Sequence, residues 1–308
     1  MNRRVIAKIL KHKHEDFLKS INDDEIRKLI DDHGMITGGS IVSLLLGERV
    51  NDYDYYFDDF TALVKIAGYF VDQFKGLNPE KIIPAVLKVD VPTQRVSIKI
   101  ESAGVISEAS DSDYQYFESR PEEEGMSYVD KVVEAADETA AQAIDDAKPK
   151  YRPIFMSSNA ITLSGKVQLV IRFHGDPDEI HKNYDFMHCC NYWIAKTGKL
   201  TLNPAALESI LAKQLAYQGS LYPVCSVIRM RKFLKMGWYI NAGQILKMLF
   251  QISQLDLTDI NVLEEQLTGV DAAYFFQVIE YCKKRQEEDK EFKVTVPYLC
   301  SIIDKIFG

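Results

Sequence analysis

Asp52 and Asp54 are the residues whose type and spacing most clearly suggest chemistry, because they alternate with tyrosines in the run Asp52-Tyr53-Asp54-Tyr55. Aromatic residues from 53 to 57 predict a strand, in which residues i and i+2 point to the same face. Two carboxylates so placed lie roughly 7 Å apart along the chain and can converge on a hard cation such as Mg²⁺ or Mn²⁺. Taken alone, such a pair is more typical of a solvated strand end than of a metal site.

A glycine-rich turn precedes this pair and changes its interpretation. Eleven residues separate the run Gly38-Gly39-Ser40 from Asp52, and glycines allow the backbone to approach a phosphate closely. The apolar residues 41–46 predict a short helix, whose N-terminal amides favour an anion. A Gly-Gly-Ser run alone usually marks a turn. The two motifs in this order, joined by a helix, predict a phosphate-binding turn beside a metal pair, as phosphoryl-group transfer requires.

The elements that must position these motifs can be predicted from hydrophobic periodicity. The alternation in residues 95–100 is typical of a half-buried strand. We predict helices over Arg4–Ser20, Asp24–His33 and Phe60–Phe74, and strands over Met35–Thr37, Ala85–Val91, Arg95–Glu101, Ile154–Met156, Ala160–Leu163 and Val167–Phe173.

Residues from about 103 to 150 interrupt this pattern, because they are acidic and rich in alanine. We interpret them as a surface insertion with one helix over 129–147. After Asn203-Pro204 the pattern is helical. The sequence therefore predicts a catalytic domain over residues 1–200, with the insertion at about 103–150, followed by a helical domain over residues 201–308.

The order of strand, Gly-Gly-Ser, short helix and Asp-x-Asp resembles the signature of the DNA polymerase β-type nucleotidyltransferase superfamily. The resemblance implies an α+β fold with a polymerase β-like palm, built on a mixed sheet with helices and followed here by an all-α domain. It also implies an NTP substrate and Mg²⁺ or Mn²⁺. Residues 159–185 and 206–244 are similar to nucleotidyltransferase-like proteins of tailed bacteriophages.

The superfamily further implies a third carboxylate on a neighbouring strand. Asp185, between Tyr184 and Phe186 in a further predicted strand, is our choice, because burial of a carboxylate between aromatics is costly unless it is paired or metal-bound. Asp90 is the alternative, since its distance from Asp54 is closer to that of compact members.

Basic residues beyond Pro223 add candidates for binding anions. Arg229 and Lys232 share a face of a predicted helix, and the resemblance makes them candidates for contacts with the NTP phosphates or with an acceptor backbone. Lys213 is a weaker candidate of the same kind. A solvated basic helix face is the alternative interpretation.

The composition excludes some classes of protein. A net charge of −8 argues against a general nucleic-acid coat protein. No run is apolar enough to suggest a membrane helix. The five cysteines lack framework spacing, so we expect reduced thiols and a cytoplasmic protein, in the host-cell cytoplasm if a phage encodes it.

The acceptor is the least determined part of the function. An RNA 3′ end, tRNA especially, is our first expectation, a protein hydroxyl the second and a small molecule the third. A non-catalytic interaction or antitoxin-like module on the same fold is the alternative from another class.

Overall fold

The computed structural model describes residues 2–77, 86–99, 105–106, 150–157 and 159–267, with residues 287, 295 and 297. Most of the expected insertion, including its predicted helix, lies outside the described residues. The helices are α1 Arg3–Lys19, α2 Asp24–His33, α3 Gly39–Leu46, α4 Phe60–Leu77, α5 Pro177–His181, α6 Pro204–Ala212, α7 Pro223–Lys235, α8 Ala242–Ile252 and α9 Ile260–Leu267. The strands are β1 Gly34–Thr37, β2 Tyr53–Phe57, β3 Val86–Asp90, β4 Arg95–Lys99, β5 Val105–Ile106, β6 Pro153–Met156, β7 Ala160–Leu163, β8 Val167–Val170, β9 Tyr192–Ile194 and β10 Lys199–Thr201.

Eight of these strands form one mixed sheet in the order β10-β9-β1-β2-β8-β7-β6-β5. β2 and β8 are parallel, whereas the other neighbours in the sheet are antiparallel. A parallel partner cannot be reached through a tight turn, so a long stretch containing α4 and the separate β3–β4 hairpin lies between β2 and β8 in the sequence. The predicted α+β fold on a mixed sheet with helices is confirmed.

One face of β2 is fixed by the main hydrophobic core. Tyr55 and Phe57 are fully buried there, and the ring of Phe17 from α1 lies 5.3 Å from the ring of Tyr55 and 6.2 Å from that of Phe70 in α4. Because side chains alternate along a strand, this packing directs Asp54 to the opposite face.

A second hydrophobic cluster joins the helices after residue 203 to the rest of the chain. It contains Ile210, Trp238 and Met248 together with Val42 of α3 and Phe186. The described part of the C-terminal region is thus anchored beside α3. No described helix is both long enough and apolar enough to cross a membrane.

Candidate active site

The turn between β1 and α3 brings the glycine motif against Asp54. Gly38 has φ +88° and ψ −146°, a conformation that glycine adopts readily and other residues rarely adopt. A Cβ atom on Gly38 would lie 3.3 Å from both Asp54 Oδ2 and the Tyr184 hydroxyl oxygen. A side chain at this position would crowd both groups, so the glycine turn lies next to the carboxylate and the phenol.

The first turn of α3 has the features of an anion site. A Cβ atom on Gly39 would meet nothing within 4 Å, so space is open beside this residue. The Ser40 hydroxyl is buried and has no hydrogen-bond partner among the described residues. Burying an unsatisfied hydroxyl costs about 1–3 kcal/mol, and the first amides of a helix lack intrahelical acceptors. A phosphate beside this turn would satisfy such donors.

Asp52 and Asp54 lie at the start of β2 in different environments. Asp54 is half-buried on the strand, whereas Asp52 directly precedes the strand and is exposed. Although the side chain of Asp52 reaches solvent, surrounding protein atoms desolvate it and raise the pKa of its carboxyl above the usual value, while Lys232 and Lys166 partly offset this rise. A cation beside Asp52 would favour its charged form.

A cavity of about 240 Å³ gathers several of the residues that the sequence singled out. Predicted site residues in its lining are Gly38, Gly39, Asp54, Asp185 and Arg229. The other lining residues are mostly aromatic or apolar, namely Tyr56, Phe173, Asn183, Tyr184, Phe186, Cys189 and Phe233. The glycine turn, one acid of the Asp-x-Asp pair and the acid from residue 185 thus meet in one place.

The prediction of a strand around Asp185 is wrong. Asp185 lies in a bend, and Phe186 forms only an isolated bridge with Tyr217. The backbone of Asp185 instead accepts a hydrogen bond from Gln218 N at 2.9 Å, and a 3-10 helix begins at Met187. Pairing with the distant segment around residue 217 replaces sheet pairing, and no local pattern indicates such a partner.

The carboxylate of Asp185 is buried and engaged through both oxygens. Ser226 Oγ donates to Oδ1 at 2.9 Å, and Arg229 Nη1 donates to Oδ2 at 2.5 Å. Both donors belong to α7, so these two hydrogen bonds connect that helix to the lining of the cavity. A charge-assisted bond of this kind is stronger than a neutral one, and it holds Arg229 in the lining of the same cavity as Asp54.

The remaining predicted residues lie outside this cavity. Lys213 ends α6 and pairs with Glu48 at 3.7 Å. Lys232 is exposed on α7, close enough to Asp52 to influence its charge. Asp90 is exposed at the end of β3, in the separate two-stranded sheet.

Sequence reasoning missed a polar network beneath the glycine turn. His181 Nε2 lies 2.8 Å from Thr37 Oγ1, which donates to Asn191 O at 2.9 Å. Tyr184 shares side-chain hydrogen bonds with Thr37 and Tyr56, and burial raises its pKa well above the usual value. The alternation of aromatics with acids signalled Tyr184, but no local pattern signalled His181 or Thr37, because the partners come from segments far apart in the sequence.

The residues present fit a divalent cation bound partly by substrate. The described residues contain no group of three or more His, Cys, Asp or Glu side chains arranged to hold a metal. Mg²⁺, however, is commonly held by one or two carboxylates together with substrate phosphates. Asp52 and Asp54 supply those carboxylates, and the open space beside Gly39 suits a phosphate.

Several solved structures resemble this chain at low identity. A Thermotoga maritima CCA-adding enzyme complexed with tRNA is 11% identical, with a TM-score of 0.37, over 82% of this chain and 50% of that chain. A tRNA nucleotidyltransferase complexed with a primer tRNA and an incoming ATP analogue is 13% identical, with a TM-score of 0.34, over 85% of this chain and 61% of that chain. The chain thus spans about half to three fifths of these longer proteins, and no activity follows from the likeness.

No curated protein sequence matches the chain significantly. A family model does match, and its description is "Gabija anti-defense 2 family protein". The match covers residues 8–213, which include the glycine turn, both acids of the Asp-x-Asp pair and Asp185. Because the match extends over more than half of the sequence, the chain belongs to the Gabija anti-defense 2 family.

Proposed function

We propose that the chain is a metal-dependent nucleotidyltransferase, which moves a nucleoside monophosphate from an NTP to an acceptor hydroxyl. The acceptor oxygen forms a bond to the α-phosphorus while the bond to the leaving pyrophosphate breaks. The observation that carries this proposal is the position of the Gly38 turn next to the Asp54 carboxylate, whose Oδ2 would lie 3.3 Å from a Cβ placed on that glycine. A phosphate on the turn would lie directly beside the metal-binding acid.

The residues of the site have distinct roles in this proposal. The backbone at Gly38 and Gly39 and the Ser40 hydroxyl hold the phosphates, and Asp52 and Asp54 hold Mg²⁺ or Mn²⁺. When bound, the metal offsets negative charge on the phosphates. The bare turn and the cavity walls keep the triphosphate in one orientation for in-line attack.

Asp185 is the proposed third carboxylate, and Arg229, Lys232 and Lys213 are proposed phosphate contacts. In the structure, the Asp185 carboxylate accepts hydrogen bonds from Arg229 and Ser226. If Arg229 exchanged this partner for the triphosphate, Asp185 could join the metal site. Lys232 is the better placed of the two lysines, because its charge already acts on Asp52.

An RNA 3′ end, with tRNA as the first choice, is the proposed acceptor, and a protein hydroxyl is the alternative. The basic residues on α7 beside the cavity favour a polyanionic acceptor. The family description connects the chain to anti-defense against Gabija, so we propose that transfer serves this purpose in the cytoplasm of a host cell.

The direct test is to incubate the protein with each labelled NTP, Mg²⁺ or Mn²⁺, and either total RNA or lysate protein. We expect label in the RNA fraction, and loss of transfer in D52N and D54N. Asp72→Asn is the matched control, because Asp72 is exposed on α4 outside the site. Absence of transfer to any fraction overturns the enzyme proposal, and transfer by the D52N/D54N double variant overturns the site.

A non-catalytic module is the second candidate, since Asp185 is already paired with Arg229 in the structure. Such a module would leave the NTP unchanged. Titration of the protein with NTP and Mg²⁺ separates the candidates, because an enzyme of this kind must bind NTP. Binding without transfer to RNA or protein would favour a regulatory nucleotide site.

A further inference from the structure

A second cavity, also of about 240 Å³, adjoins the first at Asp54. Residues in the lining of both cavities are Asp54, Tyr56, Phe173, Asn183 and Arg229. The glycine turn and Asp185 belong only to the first cavity. Asn159, Ala160, Gln168, Val170, Arg172 and Tyr222 belong only to the second. Asp54 therefore stands between a cavity that contains the proposed phosphate turn and another whose walls have different chemistry.

The parallel pairing of β2 with β8 builds this second wall. Gln168 of β8 lies directly opposite Asp54 in the register of the two strands. Side chains of neighbouring strands at paired positions point to the same face, so the Gln168 side chain lies on the same face of the sheet as the Asp54 side chain. Val170 and Arg172 follow at alternate positions and extend the same wall.

Arg172 and Tyr222 pack together and form one surface in the lining of this cavity. The guanidinium carbon of Arg172 lies 4.5 Å from the centre of the Tyr222 ring and 5.3 Å from that of Phe173. Arg172 and Tyr222 are both buried. A guanidinium stacked on aromatic rings offers a plane and a positive charge together.

Amides complete the wall, since Asn159, Gln168 and Asn183 line it and each can both donate and accept hydrogen bonds. Among the described residues of this lining, Asp54 is the one carboxylate, and Arg172 and Arg229 are the cations. Single-stranded RNA ends are recognised by this combination, in which bases stack on aromatic or guanidinium planes and their edges bond to polar side chains. A neutral peptide segment would gain little from the two guanidinium groups.

We propose that the second cavity is the acceptor subsite and holds the terminal nucleotide of a single-stranded RNA 3′ end. Its base lies on the Arg172–Tyr222 surface, Gln168 and the neighbouring amides bond to the base or ribose, and the terminal hydroxyl faces Asp54. Gln168 and Arg172 are thus the acceptor-selecting residues. This inference rests on the proposed nucleotidyl transfer for its direction, because Asp54 marks the reacting end of the cavity.

The test measures acceptor binding and NTP binding separately in R172M and Q168A. Arg4→Met, on the exposed surface of α1, is the control for loss of one arginine. Acceptor binding is followed by fluorescence anisotropy of a 5′-labelled oligoribonucleotide, and NTP binding by calorimetry with a non-hydrolysable analogue and Mg²⁺. We expect R172M to weaken oligoribonucleotide binding about tenfold, from the lost stacking. It should leave NTP affinity unchanged, because Arg172 lines only the second cavity.

A 3′-phosphate in place of the terminal hydroxyl should also weaken binding to the unchanged protein, since Asp54 repels it. The inference is overturned if R172M and Q168A bind the oligoribonucleotide like the unchanged protein, or if both ligands are lost equally. Labelling of protein without RNA binding also overturns it while nucleotidyl transfer stands. If no transfer occurs but R172M still selectively loses RNA, the subsite stands and the proposed reaction fails.

Discussion

Replacing Gly38 with alanine should damage both stability and transfer, because the structure uses this glycine in two ways. Its φ of +88° with ψ of −146° is a conformation that a Cβ disfavours, and holding alanine in a sparsely populated region costs of order 1–3 kcal/mol. The added Cβ would also lie 3.3 Å from Asp54 Oδ2 and from the Tyr184 hydroxyl. Relief of this crowding must displace the carboxylate or the turn.

The expected magnitude follows from the backbone strain. A cost of ~2 kcal/mol lowers Tm by about 3 °C in a chain of 308 residues, because the entropy of unfolding is ~2.1 cal/mol/K per residue. Thermal unfolding followed by circular dichroism measures this shift, and the labelled-NTP assay measures transfer. Because the acid moves relative to the phosphate turn, we expect kcat to fall by at least about tenfold, which corresponds to ~1.4 kcal/mol in the barrier.

Gly39→Ala is the matched control, since a Cβ there would meet nothing within 4 Å. Gly39 is the first residue of α3, so alanine should leave Tm unchanged or raise it through a gain of about 0.4–1 kcal/mol. The same methyl group enters the space proposed for phosphate and should raise KM for NTP. If G38A unfolds at the same temperature as the unchanged protein and transfers at the same rate, the assigned role of the turn is wrong.

Three further predictions concern the groups around this turn. S40A should keep or raise Tm, because it removes a buried hydroxyl without a described partner. It should nevertheless weaken NTP binding by about fivefold to tenfold through the lost hydrogen bond. Unchanged NTP affinity by calorimetry would contradict the phosphate role of Ser40. D185N should lower Tm by a few degrees, since it removes the charge that Arg229 Nη1 contacts. Breaking a buried pair costs about 3–5 kcal/mol, and the half-exposed Arg229 reduces this cost to about 1–2 kcal/mol. An unchanged Tm would show that the pair adds no stability. Burial lowers the pKa of His181 and His188 to about 4. The stability from their neutral forms is therefore present above the unfolded pKa of about 6.5 and is lost as pH falls towards 4. Urea midpoints should fall between pH 7 and pH 4.5 and should fall less in H181Q, whereas equal falls in both proteins would exclude His181 as a cause.

The sequence indicated the parts of the site whose partners are close along the chain. Gly38, Asp52 and Asp54 lie within one strand-helix-strand unit, so the spacing of local elements was enough to place the turn near the strand. The β3–β4 hairpin and β6 to β8 were also predicted close to their observed bounds, because alternation of apolar residues is a local signal. The boundary proposed at residue 200 stays a prediction.

Contacts between distant segments could not be predicted in the same way. The bend at Asp185 depends on hydrogen bonds from Gln218 and from α7, 33 to 44 residues later. Its flanking aromatics suggested a strand because burial and β propensity look alike in a short run. The parallel register that sets Gln168 beside Asp54 spans the whole insertion and has no local signature.

This register bears directly on how charge is distributed in the proposed site. The superfamily resemblance implies a third carboxylate on a neighbouring strand, whereas the residue opposite Asp54 on β8 is the uncharged Gln168. The buried acid that does reach the cavity, Asp185, comes from a bend and is already neutralised by Arg229. The first cavity therefore receives its acids from the Asp-x-Asp strand and from this bend rather than from β8. Because the side chain opposite Asp54 on β8 is the uncharged amide of Gln168, this side of Asp54 suits a hydroxyl and a base better than a second cation. We therefore expect the acceptor to approach along β8 and the triphosphate along α3.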